Sequence, residues 1–308
     1  MSAADVLALI MLAALAVYAV TGGADFGGGV WDLLARGPRA ADQRVVIERA
    51  IAPVWEANHV WLIFVIVILF SAFPPAFAAL GTRFHAPLVA ALIGIVLRGS
   101  ALVFRQYGGG HAGWGRVFAI ASAATPFFLG VVLAGVTTGD WIGWFPLAVG
   151  ALAIALGAYL AATYLTCETR SPELKTAFAR RAVASWIAVA VLAAAAAIAA
   201  RIEAREFAGR LAPGLMVATG LLALAALFAL RRQRFRFARA LAAGQVTAIV
   251  VGWGLAHRPN LVAPDLTIGG AAAPPVTLRL LLPVLAAGAL IILPSLFWLM
   301  KVFKSRPE

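Results

Sequence analysis

Charge is scarce in this chain. Only 12% of its 308 residues are Asp, Glu, Lys or Arg, where a soluble domain carries about 25%. So few charges cannot coat a water-facing surface of this size, which excludes an ordinary soluble fold. Acids are rarer than bases, 13 against 25, and the formal net charge is +12. In a soluble protein that excess would raise nucleic-acid binding. Here the arginines fall in short stretches between apolar runs, where they fix topology and meet anionic lipid. No nucleic-acid partner is expected. Cysteine is nearly absent: Cys167 stands alone, so no intrachain disulfide, Cys-rich zinc site or iron–sulfur cluster can form. There is no Cys-x-x-Cys-His for covalent haem, and no metal site is expected. Residues Met1 to Leu7 lack a basic stretch and carry Asp5, so they do not read as a cleaved signal peptide, and the first apolar run is expected as a retained span.

What the chain has is hydrophobicity: 63% of residues are apolar and the mean hydropathy is +0.95. Apolar runs of about 20 residues, enough for a helix to cross a bilayer, recur from end to end. Nine can be read, at roughly 5–33, 50–72, 84–104, 116–138, 145–166, 182–200, 212–230, 238–257 and 278–300. Lipid offers no partner to a free N–H or C=O, so these runs are expected as helices. The expected fold is an all-α integral membrane protein of about nine transmembrane helices. It forms a single polytopic domain over 1–308, with approximate halves 1–140 and 141–308.

Basic residues alternate with the spans. Those after spans one, three, five and seven, with the end of span three and the tail, amount to nineteen of the 25. The other side holds Arg83, Arg201, Arg205, Arg210, Arg258 and Arg279. The positive-inside rule then places the N-terminus outside and the C-terminus in the cytoplasm. A weak echo links Arg49-Ala50-Ile51-Ala52-Pro53-Val54-Trp55 with Arg181-Ala182-Val183-Ala184-Ser185-Trp186. It fits two four-helix units of like orientation plus one extra, peripheral helix.

Ionisable groups inside a bilayer are costly, so their positions are informative. Asp25 lies late in span one, Glu56 and His59 early in span two, and Arg98 late in span three. Alternation of the spans brings all four to a similar depth near the cytoplasmic side. At about 100° per residue, Tyr18, Thr21, Asp25 and Asp32 share a face of span one. Arg49, Ala52, Glu56, His59 and Ile63 share one of span two, and Ala91, Gly94, Arg98 and Arg105 one of span three. Each stripe can point into a bundle, and with water between them such groups can pass protons. The plainer alternative is structural: Asp25 pairs with Arg98 as its counter-charge, and His59 is a hydrogen-bonding core histidine. Trp55 and Asn58 make the surroundings of Glu56 polar. The glycines from Gly22 to Gly29 do not form a phosphate loop, since no strand precedes them and no Lys-Ser or Lys-Thr follows. Small residues four apart, Gly23 with Gly27 and Ala24 with Gly28, instead suit close helix packing in lipid. Trp31, Trp55, Trp61, Trp141 and Trp144 are expected mostly as belt or packing residues. His85 and His257 sit near outer span ends and His111 in a loop. A membrane haem with two histidine ligands needs them at matching depth on facing helices, so this chain alone is expected to bind none.

Four runs carry a resemblance. Gly22-Gly23-Ala24-Asp25-Phe26-Gly27-Gly28-Gly29-Val30-Trp31-Asp32-Leu33-Leu34 resembles the first-helix motif of cytochrome bd quinol oxidase subunit II. Ile51-Ala52-Pro53-Val54-Trp55-Glu56-Ala57-Asn58-His59-Val60-Trp61-Leu62-Ile63 resembles its second-helix motif. Phe73-Pro74-Pro75-Ala76-Phe77-Ala78-Ala79-Leu80 and the run from Gly94 to Arg105 follow at the family's spacing. The match is specific over roughly residues 15–110; beyond that it rests on span number and order. The resemblance implies two four-helix bundles and a peripheral helix. It implies a non-haem partner to a haem-bearing subunit I, in a heterodimer that can carry a small accessory subunit. That complex oxidises quinol and reduces dioxygen to water in the bacterial plasma membrane. Haem b and haem d are expected in the partner. This subunit is expected to lend a cytoplasmic proton path, a structural quinone and part of an apolar oxygen route. By position, the path acids are Asp25 and Glu56, with His59 as an added member. Arg98, Trp55 and Asn58 are expected in structural or electrostatic roles. The chain departs from the family where some members have an acid at Gly23, aspartate at Glu56, glutamine at His59 and an acid at Val103, so water or His59 is expected to stand in for missing acids. A stand-alone proton-coupled transporter is the second reading. Its broken midmembrane helices have little support, because Pro53 lies near the expected start of its span and Pro294 late in its own. A haem-binding cytochrome in its own right is a third, disfavoured by the histidine positions.

Overall fold

The computed structural model describes residues 1–107 and 112–304, excepting the side chains of 52–54, 56, 106, 107, 112, 300, 303 and 304. The chain is almost wholly helical. In order run α1 (Ala3–Leu33), α2 (Ala40–Ala72), α3 (Pro74–Arg83), α4 (His85–Tyr107), α5 (Ala112–Thr138) and α6 (Trp144–Glu168). There follow α7 (Pro172–Glu203), α8 (Arg205–Arg210), α9 (Pro213–Arg231), α10 (Phe235–His257), strands β1 (Asn260–Val262) and β2 (Leu266–Thr267), and α11 (Pro275–Lys304). Among the described residues eight helices are long and apolar enough to cross a membrane, or nine if the bent α2–α3 pair counts as one span. The structure is therefore the expected multi-pass helical membrane protein.

Span boundaries differ from the sequence reading where polar residues continue a helix beyond the apolar run. α2 begins at Ala40, ten residues before the run read from hydropathy, and α7 begins at Pro172. Ser171 starts α7: its hydroxyl accepts from Leu174 N, and Pro172 takes the first turn, where a missing N–H costs nothing. The segment after α2 is not a loop. Phe73 breaks the helix, Pro74 and Pro75 open α3, and the chain turns by 116°. β1 and β2 form a short antiparallel hairpin that hydrophobic periodicity did not signal.

Helix ends meet as alternating spans require. One face gathers the start of α1, the ends of α2, α5 and α10, α3 and the hairpin. Arg258 pairs with Asp5 at 2.6 Å and Arg83 with Asp265 at 2.6 Å. The hairpin segment is stitched down by Ala263 N to Val136 O and Ala273 N to Ala72 O, both 2.8 Å. At this same end Glu203, closing α7, accepts from Trp144 N and Phe145 N at 2.9 Å and so caps α6. The opposite, arginine-rich face joins the end of α1 to the starts of α2 and α7. There Arg181 donates to Gln43 Oε1 at 2.6 Å, and Arg39 pairs with Glu173 at 3.5 Å.

α6 lies at the centre and α11 at the edge. In the most apolar stretch of α6, 61% is buried within the chain, against none in the corresponding stretch of α11. Tyr159, Leu160, Ala162 and Leu165 of α6 pack with Trp31, Ile47, Phe178 and Val246 from four other helices. α1 approaches α6 at backbone distance. A Cβ at Gly27 would overlap the Gly157 carbonyl, and one at Gly157 would stand 2.9 Å from Gly23 O. The small-residue stripe of α1 is thus a packing surface, as its spacing suggested. Trp31 closes the seam by donating to Ala158 O at 2.7 Å.

Candidate functional site

The polar core is built on α1, α2, α4 and α5. Asp25, two-thirds along α1, is 1% exposed and Arg98 of α4 is 1% exposed, so both charges are closed off from bulk water. They form an ion pair through Arg98 Nη2 and Asp25 Oδ1, with a second contact to Asp25 O at 3.3 Å. The other carboxylate oxygen, Oδ2, accepts from Asn58 Nδ2 at 2.8 Å. Arg98 Nε donates to Ser122 Oγ at 3.0 Å, and Ser122 Oγ in turn donates to Phe118 O at 2.6 Å. The rings of Phe26 and Phe118 flank the guanidinium, each centroid 5.0 Å away. A desolvated cation between two aromatic rings gains about 2 kcal/mol or more from the ring quadrupoles. Together these contacts account for a full charge pair inside an apolar bundle.

A second tier repeats the first nearer the arginine-rich face. Arg105 Nη1 donates to both oxygens of Asp32, at 3.0 and 3.1 Å, and Nη2 lies 3.6 Å from Glu48 Oε2. Arg44 Nε stands 3.9 Å from Asp32. Asp25 and Asp32 are seven residues apart on α1, and Arg98 and Arg105 are seven apart on α4. The acids and bases pair in the same order, so α1 and α4 run in the same direction.

The sequence-expected site residues divide between these features. Asp25, Asn58 and Arg98 come together. His59, on the next residue of α2, is half-buried and faces a groove of about 400 Å³ between α2 and α4, lined by Trp55, Ile95, Val96 and Gly99. Its Nδ1 lies 2.9 Å from Trp55 O. A carbonyl only accepts, so this contact requires a proton on Nδ1 and leaves Nε2 as the ring's other polar atom. Trp55 meets His59 edge-on, centroids 6.3 Å apart. The backbone of Glu56 belongs to α2, but its side chain lies outside the described residues, as does His111. His257 is elsewhere, stacked on Trp253 with Nε2 3.2 Å from Leu261 O beside the hairpin.

Sequence reasoning missed Ser122, Phe26 and Phe118. A small hydroxyl residue in the apolar α5 was the only signal for Ser122, and nothing in a lone phenylalanine announces a cation partner. Tyr18 of the α1 polar face is buried. Its hydroxyl, Asn58 Oδ1 and Arg98 Nη1 have no partner among the described residues. Buried polar atoms of this kind are normally satisfied by ordered water. The arrangement therefore offers fixed charge, spare donors and acceptors, and a titratable imidazole at one depth.

Fold and site together define a polytopic membrane protein with a fully buried, caged charge pair shared by its first helices. Over residues 3–303 the chain matches the family of cytochrome bd terminal oxidase subunit II. It belongs to that family, whose members are subunits of a terminal oxidase. It is 24% identical to a Bacillus subtilis (strain 168) protein named as a candidate cytochrome bd menaquinol oxidase subunit II, over 93% of this chain and 91% of that one. A second protein of the same organism, cytochrome bd ubiquinol oxidase subunit 2, is 34% identical over 36% of this chain and 33% of its own length. Among solved structures, a chain of the bd oxidase from Geobacillus thermodenitrificans superposes with a TM-score of 0.85 at 23% identity, covering 98% of this chain and 99% of that one. That likeness establishes the fold.

Proposed function

We propose that this chain is the non-haem subunit of a quinol-oxidising, dioxygen-reducing complex of the bacterial plasma membrane. It pairs with a haem-bearing subunit I and lends it a proton path from the cytoplasm. The observation that carries the reading is the buried Asp25–Arg98–Asn58 network beside His59, in a member of this family. The arginine-rich face is assigned to the cytoplasm by the positive-inside rule, with the N-terminus outside.

The partner's haem b and haem d supply electron transfer and oxygen reduction; the residues here handle protons. Glu56, nearer the arginine-rich start of α2, takes up the cytoplasmic proton. His59, three residues further along the same helical face and open to the α2–α4 groove, receives it on Nε2. Asp25 holds one oxygen to Arg98 and the other to Asn58. Held in this way, its part is to steady a passing positive charge. Tyr18, Asn58 and Arg98 keep free hydrogen-bonding capacity for the water that links these groups. Trp55 shapes the groove: its ring edge would lie 3.1 Å from a Cβ at Gly99, so glycine there gives the indole room. The apolar walls of that groove would also seat the ring of a structural quinone.

Two measurements test the reading. Purification in mild detergent should bring down a larger partner with haem b and haem d bands; a colourless chain without a partner would refute the assignment and favour a proton-coupled transporter. Within the complex, Glu56→Gln should lower oxidase turnover while the haem spectrum is retained. Normal turnover would remove Glu56 from the path.

A further inference from the structure

The arginine-rich face carries a second groove, lined by none of the proton-handling residues. It is about 400 Å³ and lies where the start of α7 meets the end of α9 and the turn into α10. Lys175, Arg180 and Arg231 line it. None of these three side chains has a hydrogen bond or ion pair with another described residue. The acids nearby in sequence are engaged elsewhere: Glu173 accepts from Ser171 Oγ at 2.6 Å and pairs with Arg39, and Glu168 pairs with Arg239 at 3.7 Å. The groove therefore presents three uncompensated positive charges.

Beside these cations the lining is mostly apolar: Val183, Leu230 and Phe235 stand with Pro172 and Ala179, and Thr176 and Gln233 add polar groups. On α7 the Val183 position continues at helical spacing through Ile187 and Val191, which are 54% and 62% exposed. An apolar strip thus leads from the cationic mouth along the helix into the membrane. At the rim, Gln233 turns α9 into α10 with a φ of 54°. Glycine meets such a turn without steric cost; glutamine adds an amide that can donate to an anion.

We propose that this groove binds an anionic phospholipid, its phosphate held by Lys175, Arg180 and Arg231 and an acyl chain laid along Val183, Ile187 and Val191. Charge complementarity selects an anion, and the continuous apolar strip selects a lipid over a soluble phosphate. Basic pockets between helices at a membrane surface recognise lipid head groups in this manner. The site is independent of the proton path.

The test uses the intact complex, delipidated in mild detergent. Bound lipid is counted by native mass spectrometry, and photoactivatable phosphatidylglycerol maps the contact. Phosphatidylglycerol should bind, raise the melting temperature and crosslink to α7 or α9. Lys175→Gln, Arg180→Gln and Arg231→Gln should each weaken binding about fivefold, as expected for about one unit of surface charge per cation. The lysine variants Arg180→Lys and Arg231→Lys keep the charge and should retain binding, which controls for misfolding. Equal binding of phosphatidylcholine would overturn the proposal, as would equal protection by inorganic phosphate alone. Undiminished phosphatidylglycerol crosslinking in the triple glutamine variant would overturn it too.

Discussion

Replacing Arg98 by methionine removes the only described cation that meets Asp25, while keeping much of the side-chain volume between Phe26 and Phe118. The side chains of the pair are 1% and 0% exposed, so bulk water screens the pair little. Breaking a buried pair by removing one partner costs about 3–5 kcal/mol, mostly because a charge is left stranded. The two single variants should differ. After Arg98→Met, the carboxyl of Asp25 can take up a proton and become neutral, which relieves part of the loss. After Asp25→Leu, a guanidinium cannot shed its charge, and Arg98 has only Ser122, the backbone carbonyl of residue 25 and two rings around it. Asp25→Leu should therefore destabilise more than Arg98→Met. The double variant should recover most of the loss, leaving a coupling energy of about 2–3 kcal/mol, within the range for contacting residues. Unfolding of the purified complex in detergent, followed for all four members of the cycle, gives these numbers. Additive single effects, or a milder loss in Asp25→Leu, would refute the electrostatic account. A stable double variant also isolates function: if Asp25 steadies protons in transit, turnover falls although the fold is restored.

Other consequences are more local. Gly27→Val drives a branched side chain into the Gly157 carbonyl; overpacking of about 1–3 kcal/mol should cut the yield of assembled complex, and Gly27→Ala should do so less. Glu203→Ala strips both acceptors from the start of α6, and loss of a cap of about 1 kcal/mol should appear as a lower melting temperature with normal turnover. His59→Phe removes the Nε2 proton acceptor but keeps an aromatic ring beside Trp55, so turnover should fall with stability and haem content unchanged.

Much of this was legible in the sequence, for reasons that can be named. Apolar runs announced the spans because lipid permits little besides helices, and the basic alternation fixed which ends meet. Asp25 and Arg98 stood out because charge inside a bilayer is rare, and equal depth on parallel spans brought them together. What escaped depended on contacts without a sequence period. Phe26 and Phe118 are ordinary apolar residues until a guanidinium lies between them. α3 and the β1–β2 hairpin belong to the membrane surface, where hydropathy loses its contrast. The early start of α2 at Ala40 was hidden because a helix emerging into water no longer needs apolar residues. Asp32 and Arg105 were placed on the right faces, yet their pairing with Glu48 and Arg44 required the register between helices.

The two matched tiers on α1 and α4 also bear on biosynthesis. Asp25 and Arg98 are separated by 73 residues, so at about 5–20 residues per second the acid is made roughly 4–15 s before its counter-ion. During that interval α1 cannot settle among lipid tails without a protonated or hydrated carboxyl, and α4 arrives carrying two arginines that lipid rejects. Each helix is thus a poor solo resident of the bilayer and a good one only beside the other. Released from the insertion machinery, they have reason to leave it together, with α2 and α3 already synthesised between them. The order of the tiers then makes only the parallel, in-register meeting of the two helices neutral, and a chain that inserts α4 upside down keeps both charges uncovered and marks itself for removal.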